Sequence, residues 1–170
     1  MAFTALMAAF ICIAAPFVIP VGAVPLSLAT LAVYLSGALL GSKKGTAAVL
    51  IYLLIGAMGL PVYAGFTAGF GQLFGITGGF LIGYVPCAFL TGLLSDIFQG
   101  KLWGIALGMA VGTLSCYLFG TVWYIVLTDV DFIAAVMICV VSFIPTDMLK
   151  IAAACAISVP LKKRLSAFEE

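Results

Sequence analysis

Charged residues interrupt this chain so rarely that its apolar runs can be read off directly. Helices are predicted over about 3–20, 25–42, 45–60, 78–99, 102–128 and 132–160, the third being the shortest. A helix rises about 1.5 Å per residue, so about 20 apolar residues cross the roughly 30 Å hydrocarbon core of a bilayer. The pattern predicts an all-α integral membrane protein of six transmembrane helices, a single membrane domain over 1–170 with a short cytoplasmic tail from about 162. The first run lacks a basic leader and a convincing cleavage site, and five more apolar runs follow, so it is expected to stay as a helix.

Cations orient the bundle. Lys43 and Lys44 separate the second and third runs, Lys101 the fourth and fifth, and Lys162, Lys163 and Arg164 follow the sixth. With six crossings all three clusters share one side, which the positive-inside rule makes cytoplasmic together with both termini. The outer connections are then about 21–24, 61–77 and 129–131, the last holding Asp129 and Asp131.

The connection over 61–77, PVYAGFTAGFGQLFGIT, is too rich in glycine for a confident helix and too apolar for water. Backbone left unsatisfied in lipid costs several kcal/mol per group. It is expected to dip into or fold over the mouth of the bundle as a lid, a packed connector being the plainer alternative. Small residues also recur at helical spacing. Gly104, Gly108 and Gly112 mark one face of the fifth helix, Gly75, Gly79 and Gly83 the start of the fourth, and Ala5 and Ala9 the first. Such faces let helices approach closely, within the bundle or between chains.

Composition narrows the chemistry. The chain is 65% hydrophobic and 8% charged, with a net charge of +1, which leaves no basic surface for nucleic acid. It has no histidine, so imidazole-based triads, zinc sites and proton relays are excluded. Five scattered cysteines without a C-x-x-C pair read as small buried hydrophobes, and no metal site is expected. Gly100-Lys101 is followed by Leu102 and forms no phosphate loop, so any ATP that drives this protein binds another chain.

Two charges fall deep inside a predicted crossing: Asp147 and Lys150, in FIPTDMLKIAAA. Placing either at the bilayer midplane costs about 2.5–3.5 kcal/mol on an insertion scale, which makes such residues functional candidates. Three residues apart, they share a helical face and project together, and Pro145 loosens the helix just before them. A carboxylate that accepts and an ammonium that donates suit a neutral ligand with adjacent N–H and C=O groups. A salt bridge that only locks packing, or a thin ion relay, remains open from the residues alone. Further polar candidates gather toward the outer half: Ser27 and Thr30 on the second helix, Gln72 and Thr77 in the apolar connection, and Tyr84 on the fourth helix.

Four stretches carry a resemblance: VPLSLATLAVYLSGALLG (Val24 to Gly41), GTAAVLIYLLIGAMGLPVYAG (Gly45 to Gly65), GITGGFLIGY (Gly75 to Tyr84) and the D-x-x-K of Asp147 and Lys150. Together they resemble the BioY family, the biotin-capturing S components of energy-coupling-factor (ECF) transporters. The resemblance implies a six-helix fold with an outward cavity, in a bacterial plasma membrane. It also implies a transmembrane T component and two ATPase subunits as partners, with ATP bound by those subunits and no cofactor in this chain. It places Asp147 and Lys150 against the biotin ureido ring, keeps Thr30 as a contact, and makes the apolar connection, with Tyr63 and Phe66, a cover over the bicyclic ring. Where the family often reads T-L-Q-T, this chain has Ser27-Leu28-Ala29-Thr30, and no arginine within the crossings faces a valerate carboxylate. The small face of the first helix, Ala5 and Ala9, resembles the surface that S components use to meet the T component. The rival readings are an S component for another vitamin, a gradient-driven secondary transporter, and a membrane enzyme, which the lack of a second intramembrane carboxylate disfavours.

Overall fold

The computed structural model describes residues 1–19 and 26–166; the expected first outer connection and the last four residues fall outside this set. Its elements are α1 (Ala2–Ala14), a short pairing of β1 (Val18–Ile19) with β2 (Leu26–Ser27), α2 (Ala29–Ala57), α3 (Phe70–Phe74), α4 (Gly78–Ile97), α5 (Leu102–Thr128), α6 (Phe132–Val136) and α7 (Ile144–Ser166). Four stretches are long and apolar enough to cross a membrane: Ala29–Ala57, Gly78–Ile97, Leu102–Thr128 and Phe132–Lys162. The shorter α1 is apolar as well.

α1 ends six residues before the expected boundary. Pro16 has no amide proton to continue the ladder. The chain instead enters the antiparallel pairing of Val18 with Ser27 and Ile19 with Leu26.

α2 is not one rod. Gly41 sits at φ +77°, which favours glycine, and there the chain doubles back. Ser36 Oγ reaches the Gly45 carbonyl at 3.3 Å, whereas nine residues of continuous helix would hold them about 13 Å apart. The sequence reading of separate helices ending near 42 and starting near 45 therefore matches the two arms, 29–40 and 42–57.

The glycine stripes pack α4 on α5. A Cβ on Gly112 would lie 2.8 Å from the Cys87 carbonyl oxygen, one on Gly108 2.9 Å from that of Thr91, and one on Gly83 3.1 Å from the Cys116 Cα. Close backbone contact thus uses both stripes inside the bundle. On α1, by contrast, Thr4, Ala8 and Ile11 turn inward, while Ala5 and Ala9 are exposed.

The last crossing is broken. After α6 the backbone widens into a π turn over Met137–Val141, and a turn at Ser142 and Phe143 precedes α7. Ser142 donates to the Met137 carbonyl from both its N–H, at 3.3 Å, and its Oγ, at 3.0 Å. Pro145 therefore falls in the first turn of α7, where a missing N–H breaks no ladder bond, instead of bending a continuous helix.

Lys162, from the last cation cluster, ties α7 to α4 at one end of the bundle. Lys162 Nζ donates to the buried Ser95 Oγ at 2.7 Å and lies 3.6 Å from Asp96 Oδ1; Asp96 Oδ2 accepts from the Ser42 N–H at 3.1 Å, just beyond the Gly41 elbow. Ser95 also donates to the Ala38 carbonyl at 3.2 Å. The Asp96 carboxylate is about half exposed, so Asp96→Asn is expected to change stability by less than about 1 kcal/mol, checked by thermal unfolding in detergent.

Candidate functional site

At the opposite end, where the 61–77 connection lies, a pocket of about 640 Å³ of atom-free space, counting its open mouth, is bounded by α2, the connection, α4, α5 and α7. Local sequence explains how each wall is placed. Gly59, at φ +104°, ends α2, and Pro61 cannot extend it. Tyr63 then folds back: its ring occupies the space that a side chain on Gly56 would fill, its OH donates to the Leu53 carbonyl at 2.6 Å, and its N–H pairs with Thr67 O at 3.0 Å. Burial and the neighbouring Cys12 push the Tyr63 phenol up, which keeps it protonated as a donor. Two further bonds tie the connection down: Gly65 N–H to Pro16 O at 3.0 Å, and Trp123 Nε1 to Gly75 O at 3.0 Å.

The polar centre is on α7. Asp147, 3% exposed, lies in its first turn, where the positive end of the helix dipole favours a carboxylate. Lys150 Nζ donates to Asp147 Oδ1 at 2.9 Å and to Thr30 Oγ1 at 2.9 Å, joining α7 to the first arm of α2. Tyr117, from α5, donates to Asp147 Oδ2 at 2.7 Å. Beside this group Thr113 Oγ1 donates to the Met109 carbonyl at 2.7 Å, so the Tyr34 hydroxyl, 2.6 Å away, donates to Thr113. Phe80 and Phe143 stack at 5.9 Å and, with Leu81, supply an apolar wall.

Of the residues expected from sequence, Asp147, Lys150, Thr30, Tyr63, Thr77 and Tyr84 line this pocket together. Ser27 lines it too, and its Oγ is committed to the Ala15 carbonyl at 2.9 Å. Gln72 and Phe66 are not in its wall: Gln72 is half-buried on α3, and Phe66 is 62% exposed, edge-on to Phe17 at 5.9 Å. Sequence reasoning missed Tyr34, Thr113, Cys116 and Tyr117. A signal for three of them was present, since Thr113, Cys116, Tyr117, Gly120, Thr121 and Tyr124 form a small and polar stripe at spacings of three and four, all buried on α5. Among the described residues no group of three or more Cys, Asp or Glu is placed to hold a metal ion.

These features define a multi-pass helical membrane protein with a pocket built around one charge pair. The chain belongs to the BioY family, whose model matches residues 1–167. It is 40% identical over 155 residues to the biotin transporter BioY of Thermotoga maritima, covering 91% of this chain and 90% of that protein. It is 36% identical over 158 residues to a probable biotin transporter BioY of Pyrococcus horikoshii, covering 93% of each. Its fold superposes with a TM-score of 0.88 and 28% identity on the crystal structure of the S-component for biotin from an ECF-type ABC transporter, covering 95% of this chain and 89% of that one. The family and these relatives are transporters, not enzymes.

Proposed function

We propose that this protein is the substrate-binding S component of an ECF-type transporter and captures biotin from outside the cell. The observation that carries the reading is the donor and acceptor inventory around Asp147. Lys150 has three N–H donors and spends two, on Asp147 and Thr30, so one remains for a ligand carbonyl. Each Asp147 oxygen accepts one bond from protein and keeps a lone pair for a ligand N–H. A cyclic urea presents an N–H beside its C=O, so one N–H can donate to Asp147 while the carbonyl accepts from Lys150, and Phe80, Leu81, Phe143 and Tyr84 suit the apolar bicycle around it. The pair sums to zero charge, which suits a neutral head group.

In this reading the whole chain is one membrane domain. α1, the two arms of α2, α4, α5 and the α6–α7 stretch make six crossings, with both termini cytoplasmic, and the apolar connection covers the outer mouth. Thr30, Thr77, Tyr63 and Tyr84 contact the ligand, and Gln72 and Phe66 reach it only if the connection shifts inward. The exposed Ala5 and Ala9 meet a T component, which links the chain to two ATPases that bind the ATP; this chain holds no cofactor. Isothermal titration of the purified protein tests the assignment: biotin is expected to bind, and riboflavin and thiamine are not. Tight binding of another vitamin without biotin would reassign the substrate, and strong uptake into proteoliposomes lacking any ATPase would favour a gradient-driven transporter.

A further inference from the structure

We propose that Tyr117 is a positioning residue for substrate recognition, acting through Asp147; the inference rests on the reading of the pocket as a biotin site. Lys150 stands three residues along the same helix, so its bond holds Asp147 Oδ1 from within α7. That single attachment leaves the carboxylate free to swing about its last torsion. Tyr117 supplies the second attachment from another element, at 2.7 Å to Oδ2. An ionised carboxylate has no proton to give, so the phenol is the donor, and a bond to a charged acceptor is among the stronger kinds. Gripped from two sides, the carboxylate plane is fixed beside the pocket that both residues line. The ligand then meets acceptors already aimed and need not order them itself.

The role is separable from packing. Tyr117→Phe keeps the ring against its neighbours and removes only the donor. Titration of the purified full chain with biotin is expected to show at least about fivefold weaker binding for Tyr117→Phe, in line with the loss of one charge-assisted hydrogen bond. Asp147→Asn should weaken binding more, and adding Tyr117→Phe to it should cost less than about twofold further, because the group that Tyr117 aims is already neutral. Placing p-aminophenylalanine at position 117, a weaker donor of the same reach, should restore affinity to within about threefold of the native chain. Should Tyr117→Phe fail to yield folded protein, the p-aminophenylalanine chain carries the same cycle: a loss of about two- to threefold with Asp147 present and none in the Asp147→Asn background. Additive losses, or no rescue by the amino group, would overturn the inference while leaving the biotin assignment intact. A native chain that takes no biotin would overturn the assignment and this inference with it.

Discussion

Asp147→Asn and Lys150→Met are each expected to weaken biotin binding more than about tenfold, a loss of at least about 1.4 kcal/mol. The two should nevertheless differ in stability. Asp147→Asn preserves shape, and the remaining ammonium, with 12% of its side chain exposed, keeps Thr30 as an acceptor. Lys150→Met strands a carboxylate in a nearly sealed site with Tyr117 as its one remaining side-chain donor among the described residues, and breaking a buried pair in this way costs about 3–5 kcal/mol. The double substitution should recover much of that stability and none of the binding. Thermal unfolding in detergent beside isothermal titration separates the two quantities. Unchanged affinity in both single variants would leave the pair as a packing device.

Gly112→Val should have the largest effect on the fold itself. A Cβ there would meet the Cys87 carbonyl at 2.8 Å, Thr91 Oγ1 at 2.9 Å and Cys87 Sγ at 3.0 Å, all buried and the first of them backbone. Valine adds two methyl groups beyond that Cβ, so α4 and α5 must separate, at a cost of about 1–3 kcal/mol or more. Binding should fall as well, because Thr113, Cys116 and Tyr117 on the same helix line the pocket. Gly71→Ala is the matched control: nothing lies within 4 Å of its Cβ position, and its unfolding temperature should stay at the native value. Equal behaviour of the two variants in thermal unfolding would contradict the packing argument.

The parts of this fold that were legible in sequence are those written by solvent and by chain length. α5 runs over the expected 102–128 and α4 starts at the expected 78, because charge and glycine punctuation bound both. Asp147 and Lys150 stood out since few other groups there are expensive in lipid. What stayed hidden depended on contacts between elements. α1 stops early because Pro16 outweighs an unbroken apolar run. The π turn at Met137–Val141 comes from a choice between carbonyls that no spacing of apolar residues records. Tyr117 reads as one more aromatic until α5 and α7 are docked and its hydroxyl meets Asp147. Phe66, expected as part of the cover, and Gln72, expected among the polar groups of the outer half, lie outside the pocket wall, and within the turn closed by the Tyr63–Thr67 bridge Phe66 is exposed.

Lys162, Ser95, Asp96 and Ser42 stitch three helix ends together at the pole remote from the pocket, and Gly37 and Gly92 seal the layer above by bringing backbones into touch. The chamber therefore has a base whose fastenings are separate from the residues that line it.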